Sequence, residues 1–211
     1  MKEYHKIETV YERDTTGSKK LIEGQYRNPT VQYLRNLSWE WTEKIDGTNI
    51  RIHWDGHRVS FGGRTERAQI PVDLVNRLND LFGGETNAQL FEQKFGETEV
   101  TLYGEGYGAK IQKCGGLYKG DGVDFILFDV CVGDTWLHRY SVEDIAEAFG
   151  IDVVPIVLRG NIDDAVKFVK SKPMSTIGTA LMEGLVGRPM EELRDRRGNR
   201  LVVKLKVRDF E

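Results

Sequence analysis

One stretch restricts the fold more than any other. Ile50, Ile52 and Trp54 alternate with polar residues, Asp55-Gly56 offers a turn that tolerates positive φ, and Val59 and Phe61 resume the alternation. A period of two on both sides of a tight turn specifies an antiparallel hairpin with one apolar face. That face needs a second layer to cover it. Helical spacing supplies cover nearby: Leu74, Val75, Leu78, Leu81 and Phe82 recur after Pro71 and stop at Gly83-Gly84, and a second helical stretch runs over residues 87–95. Residues 100–103 and 125–132 read as buried strands, separated by the glycine-rich segment 103–108 and a loop over 114–122. Ser141 with Asp144 has the spacing of a capping box for a helix over 142–149, closed by Gly150, and a helix over 163–170 follows a strand over 153–158. Strands over 181–186 and 201–207, the latter preceded by a turn at 196–199, complete the chain. The first 38 residues read as irregular, with a polar turn at 14–20 and one short helix over 30–37. Strands and helices do not alternate regularly, so the predicted class is α+β with antiparallel sheets rather than a doubly wound sheet.

A length of 211 residues suits a single domain over 1–211 that can bury a core of its own. No apolar run approaches the roughly 18 residues of a membrane span, and the first residues lack the apolar core of a secretory signal. Cys114 and Cys131 stand alone without metal or redox spacing, so a reducing, cytoplasmic setting is expected. The net charge of -3 excludes coating of nucleic acid by bulk attraction, so any polyanion site must be local. One candidate is Arg188, Arg194, Arg196, Arg197, Arg200, Lys204, Lys206 and Arg208, set against Glu191, Glu192, Asp195 and Asp209. A solvated hairpin explains the same run equally well.

Most chemical signatures fail. His53 and His57 flank a turn rather than share a helix face, which disfavours metal ligation. The glycines of residues 104–108 alternate and do not form a dinucleotide fingerprint, and neither a phosphate-binding P-loop nor a nucleophile elbow is present. What remains is a set of polar residues embedded in otherwise apolar strands: Lys44, Glu105, Glu183, Lys204 and Lys206. Each alone reads equally as a water-facing strand position or an ion-pair partner. Lys44 is the sharpest case, a lysine inside a half-buried strand with Asp46-Gly47 close behind it.

Their order along the chain resembles the covalent nucleotidyltransferase superfamily of RNA and DNA ligases and mRNA capping enzymes. Lys44-Ile-Asp-Gly47 resembles the nucleophile motif, Tyr103-Gly-Glu-Gly106 the third motif, and Asp124 to Val130 the strand with an adenine-stacking aromatic. Glu183-Gly-Leu-Val186 resembles the fourth motif and Lys204-Leu-Lys206 the fifth. Thr48-Asn49 after the glycine is similar to the RNA ligase pattern, and the closest likeness is to the nick-sealing, double-strand-specific type. Gly62-Gly-Arg64-Thr65 resembles a shorter arginine stretch downstream of the lysine.

The resemblance implies a nucleotidyltransferase domain, ATP-grasp-like, of antiparallel sheets flanked by helices. It implies an ATP-dependent RNA ligase in which Lys44 attacks the α-phosphate of ATP, the AMP passes to a 5′-phosphate end, and a 3′-hydroxyl displaces it. Magnesium, with manganese as an alternative, is the implied metal, and Glu183 its ligand. Lys204 and Lys206, two apart on a strand and so on one face, are assigned to the phosphates. Glu105 is assigned to ribose hydroxyls, and Asn49 and Arg64 to phosphate or ribose. Glu43 and Ile45 flank the nucleophile, Glu43 contributing main chain rather than carboxylate. Phe128 is chosen as the adenine-stacking wall, with Phe125 the alternative; three residues apart on a regular strand, they cannot both line one slot. Lysine has a reference pKa of about 10.4, so attack at neutral pH requires help, which Lys204, Lys206 and a divalent cation are expected to give. The implied partners are nucleic acid ends, nicked duplex RNA or an RNA/DNA hybrid, without an obligate protein partner or a membrane. The chain is expected to lack the OB-fold of DNA ligases and capping enzymes. A minimal DNA ligase and a non-catalytic binder of nucleic acid ends are the alternatives.

Overall fold

The computed structural model describes residues 1–17 and 20–211, so Ser18 and Lys19 of the predicted polar turn lie outside the described residues. The amino-terminal part is more ordered than predicted: Glu8–Thr9 (β1), Tyr11–Arg13 (β2) and Leu21–Tyr26 (β3) are strands. The short helix α1 covers only Pro29–Tyr33: it starts one residue before the predicted span, where the Asn28 side chain accepts from the Thr30 N–H, and ends four residues before the predicted end. Trp39–Lys44 (β4), Thr48–Trp54 (β5) and Val59–Gly62 (β6) follow, the last two forming the predicted hairpin. Val72–Phe82 (α2) and Gly84–Phe95 (α3) are separated by Gly83 alone. Gly84, at φ 80, begins the second helix instead of ending the first, which moves its predicted start back by three residues.

Val100–Gly108 (β7), the short helix Gly115–Tyr118 (α4), Val123–Val132 (β8) and Thr135–Trp136 (β9) come next. Helix α5 spans Arg139–Phe149 with His138 as an uncapped N-terminal residue, so the predicted Ser141–Asp144 capping box is wrong: both residues lie inside the helix. A capping box does exist, in α6 (Ile162–Lys170), where the Asn161 side chain and the Asp164 side chain each accept from the other's backbone. The predicted strand over 153–158 is two strands, Asp152–Val153 (β10) and Ile156–Gly160 (β11), interrupted around Pro155, which has no N–H to give a ladder. Gly184–Pro189 (β12) and Val203–Lys206 (β13) close the set, both shorter or later than predicted, and Val207–Phe210 turns into a 3-10 helix. Among the described residues no helix is long and apolar enough to cross a membrane.

The Cα packing divides the chain into two compact units. One consists of residues 5–45 and 155–211 and holds a five-stranded sheet in the order β1-β13-β12-β4-β11, with β2 and β3 paired separately. All its pairings are antiparallel except β1 with β13. One face of this sheet packs on α6, whose Ile162, Ala165, Val166 and Val169 recur at helical spacing and are buried with Trp39, Trp41, Leu185 and Leu205. Trp41 lies across Gly187 on the neighbouring strand, where an added Cβ would sit 2.3 Å from the indole.

The other unit consists of residues 1–4 and 46–154, with the sheet order β10-β8-β7-β5-β6 and β9 beside β8. Here too the parallel exception is a short edge strand, β10 on β8. Leu74, Leu78 and Phe82 of α2, Phe91 of α3 and Val142, Ile145 and Phe149 of α5 cover one face of this sheet. The alternating glycines of β7 belong to that covered face. A Cβ on Gly104 would lie 2.2 Å from the Phe125 ring, and one on Gly106 would lie 2.3 Å from Leu74. Large side chains from a neighbouring strand and from α2 occupy the space, which leaves Glu105 between them as the residue directed to the opposite face.

Two stability effects follow. Gly104→Ala forces a methyl into the Phe125 ring and is expected to cost about 1–3 kcal/mol, whereas Asn161→Ala removes one cap and is expected to cost about 1 kcal/mol. Urea midpoints at constant m-value measure both, and a Gly104→Ala protein as stable as the parent would contradict the packing described.

Candidate active site

The alternation along β4 decides where Lys44 points. Trp39, Trp41 and Glu43 are buried on the face packed against α6, which puts Glu40, Thr42 and Lys44 on the other. The antiparallel register then sets Lys44 opposite Gly184 and Gly184 opposite Lys206, and in the next row Thr42 opposite Val186 and Val186 opposite Lys204. Lys204 and Lys206 therefore share the face of Lys44, as the two-residue spacing implied. Gly184 is sterically required at the centre of the first row, because a Cβ there would lie 2.0 Å from the Leu205 carbonyl oxygen. With no side chain on Gly184, the adjacent Glu183 carboxylate joins the two lysines. Lys44 Nζ donates to Oε2 at 2.6 Å and Lys206 Nζ to Oε1 at 2.5 Å.

This is a lysine–carboxylate–lysine bridge, not the bare cluster of cations expected from the sequence. The side chains of Lys44, Glu183 and Lys206 are 23%, 14% and 16% exposed, so the charges are only partly screened by water. Burial of Glu183 favours its neutral acid, yet the two ammonium groups outweigh this and hold its pKa below the ordinary carboxylate value. Glu183 is thus an anion at neutral pH with both oxygens engaged.

The residues on either side of Lys44, Glu43 and Ile45, are both buried, Glu43 on the face opposite to Lys44. The backbone N–H of Glu43 donates to the Pro155 carbonyl at 2.9 Å, and its Oε2 accepts from the Thr176 N–H at 2.9 Å and the Thr176 hydroxyl at 2.6 Å. Its Oε1 is buried with no hydrogen-bond partner. Thr176 lies in an irregular segment without a periodic or motif signal; only folding brings it to a residue 133 positions earlier.

The remaining sequence-predicted residues lie in the unit formed by residues 1–4 and 46–154. Asn49 and Glu105 are cross-strand partners on β5 and β7, and the Asn49 Oδ1 is buried without a hydrogen bond. Gly47 lies tightly against β7, where an added Cβ would meet the Gly106 carbonyl at 2.3 Å and the Glu105 side chain at 2.8 Å. Arg64 is exposed in the loop after β6. Below that loop the fully buried Arg51 donates from Nε to the Gly63 carbonyl at 2.7 Å and from Nη1 to the Met1 carbonyl at 2.9 Å, with Glu66 at 3.1 Å. Arg51 was missed, although the alternation of β5 placed it on the polar face.

The two phenylalanines separate as their spacing predicted, but on a strand that is not regular. Tyr103 pairs with Asp129 and Gly104 with Leu127, so Phe128 is an extra residue at a β-bulge. Phe125 is 2% exposed and packs edge-on against Phe82 at 5.5 Å, which makes it core. Phe128 is partly exposed and takes the ring of Tyr4 edge-on at 5.1 Å. Tyr4 also donates its hydroxyl to the buried Asp129 at 2.6 Å. Neither contact was foreseen, since Tyr4 sits in a segment without periodicity. His53 contacts Thr101 at 3.1 Å and Glu99 at 3.4 Å, and among the described residues no group of three or more His, Cys, Asp or Glu side chains is placed to hold a metal.

No curated protein sequence matches the chain. Among solved structures the fold is similar to that of a Naegleria gruberi RNA ligase. A lysine-to-alanine mutant of that ligase with ATP and manganese has a TM-score of 0.66 at 19% identity, covering 97% of this chain and 60% of that one. The same ligase with pyrophosphate gives 0.64 at 20% identity, with 97% and 60% covered. A lysine-to-methionine mutant with AMP and manganese gives 0.65 at 19% identity, again with 97% and 60% covered. The present chain thus spans about 60% of the length of those proteins, and at such identity the likeness concerns the fold. Residues 37–206 match the family described as RNA ligase, a span that runs from two residues before β4 to the last lysine of β13. The chain belongs to the RNA ligase family.

Proposed function

We propose that the chain is one adenylyltransferase domain, acting as an ATP-dependent RNA ligase with Lys44 as its nucleophile. The observation that carries this reading is the bridge of Lys44 and Lys206 through Glu183, on a strand face that also presents Lys204. A solvated strand face has no need for a half-buried carboxylate shared by two lysines. Family membership and the ATP, AMP and pyrophosphate complexes named for the Naegleria ligase support the same chemistry here.

In the first step the Lys44 Nζ forms a bond to the α-phosphorus of ATP as the bond from that phosphorus to the β-phosphate oxygen breaks, and pyrophosphate leaves. The attacking amine has to be uncharged, and its proton passes to solvent, which reaches the partly exposed side chain. Glu183 is a poor acceptor for that proton because its two lysines favour the carboxylate. Glu183 has to leave Lys44 before the bond forms. Lys206 and Lys204 then lie on the face where charge develops on the transferring phosphoryl group. The AMP moves to a 5′-phosphate, and a 3′-hydroxyl displaces it to join the strands. Asn49, Glu105 and Arg64 are assigned to ribose and phosphate and Phe128 to the adenine, on the motif order in the sequence. Thr48-Asn49 favours nicked duplex RNA or an RNA/DNA hybrid as the substrate.

The residues fit a divalent cation of one kind. Glu183 belongs to no group of three or more His, Cys, Asp or Glu side chains among the described residues, which suits magnesium or manganese completed by nucleotide oxygens and water rather than a cage of protein ligands. Such a cation would neutralise charge on the phosphates when bound.

Incubation with α-labelled ATP and magnesium is expected to leave label on the wild-type chain through denaturing electrophoresis. Lys44→Ala should carry none, and Lys206→Ala should label about 100-fold more slowly. An unlabelled wild type, or a labelled Lys44→Ala, would overturn the assignment. Glu183→Gln tests the bridge independently of ATP. Because the Glu183 pKa is lowered by folding, its contribution is complete above the ordinary value of 4.5 and disappears as pH falls through the lowered one. Glu183→Gln should therefore be less stable than wild type by about 2 kcal/mol at pH 7, and the difference should shrink in acid. A difference independent of pH would remove the electrostatic account.

A further inference from the structure

Beside the outer edge of the five-stranded sheet is an open groove of about 1100 Å³, bounded by β1, the amino-terminal end of α1 and the turn before β13. Lys6, Arg27, Arg196, Arg197 and Arg200 line it. Two of these cations are already matched. Arg27 pairs with Glu8 at 3.1 Å and Glu12 at 3.8 Å, and Arg200 with Glu192 at 3.0 Å. The acidic residue in the turn, Asp195, is committed to its own loop, accepting the backbone N–H groups of Arg197 at 2.8 Å and Asn199 at 2.9 Å. Lys6 and Arg196 are exposed and have no carboxylate within ion-pair distance among the described residues. Arg197 is exposed on the same turn, and Tyr33 of α1, which also lines the groove, is 85% exposed.

We infer that this groove holds the phosphate backbone of the polynucleotide substrate on one side of the break, an inference that deepens the ligase reading and rests on it. The volume exceeds the roughly 300–1,000 Å³ of small-molecule sites, and Lys6, Arg196 and Arg197 are exposed long side chains rather than buried groups fixed in a cavity. Such a rim suits a repeating anion, and an exposed aromatic suits stacking of an unpaired base. The groove also lies at a useful separation. From Lys44 on β4 to β1 is three strand steps of about 4.8 Å, about 14 Å in all, which is about four nucleotides at about 3.4 Å per phosphate along one strand. A strand end joined at Lys44 would place its nearby phosphates against Lys6, Arg196 and Arg197.

The test is binding of a fluorescein-labelled nicked RNA duplex by anisotropy, without ATP, over a range of salt concentrations, for wild type and the Arg196→Ala/Arg197→Ala double variant. The double variant should bind about tenfold more weakly at low salt, with the slope of log K against log salt reduced by about two. Labelling by α-labelled ATP should be unchanged, because neither arginine contacts Lys44 or Glu183. Equal affinity and slope in the two proteins, or no RNA binding by wild type, would overturn the inference. Equal or tighter binding of poly-glutamate would overturn it in favour of an acidic protein partner. Loss of lysine labelling in wild type would instead remove the ligase reading, and the anisotropy result would still report on the groove.

Discussion

Two lysines on one strand face, joined through the single carboxylate of Glu183, set the terms for the rest of this protein. Holding two ammonium groups within hydrogen-bond reach of Glu183 costs desolvation, and the cost is offset only because the geometry is fixed by three hydrogen-bonded strands. The strands are fixed in turn by what lies beneath them. Trp39 and Trp41 stack at 5.9 Å, Trp41 lies over Gly187, and the apolar stripe of α6 closes that side. A slip of one residue in β4 would bury Lys44 and expose Glu43. The tryptophans therefore specify the register on which the position of Lys44 depends.

The bridge also changes how the lysine is understood. A cluster of cations alone would repel itself and leave the resting chain strained. With Glu183 between them, Lys44 and Lys206 are stabilised in the absence of nucleotide, and the anion that stabilises them is the group expected to engage a metal. Glycines serve the same purpose in both units. Gly184 lets β12 lie close against the Leu205 carbonyl, while Gly104 and Gly106 give their space to Phe125 and Leu74 and leave Glu105 on the opposite face.

Chain order and face alternation were legible in the sequence. The Asp55-Gly56 hairpin, the helices on either side of Gly83, and the shared face of Lys204 and Lys206 follow from periods of 2 and 3.6, which depend on local geometry. The errors have local causes as well. Ser141 and Asp144 matched a capping pattern but lie inside α5, and Pro155 interrupts what looked like one strand and leaves its halves in different sheets. Of the short strands in the first 38 residues, β1 is paired by a distant partner, Glu8 and Thr9 with Val203 and Lys204, while β2 and β3 pair with each other across an irregular register, and none carries a clear periodicity of its own.

The sequence by itself determined the residue types and their order: a lysine before Asp-Gly, a glutamate between glycines, a second glutamate before Gly184, and two lysines on one face of the last strand. Side-chain alternation is a property of each strand alone, so no neighbour was needed to read it. Only the tertiary structure decided that Glu183 lies between Lys44 and Lys206, that Thr176 holds Glu43, and that Phe128 stands at a bulge under Tyr4. Those contacts join residues from 23 to 139 positions apart, across registers set by the packing of whole sheets.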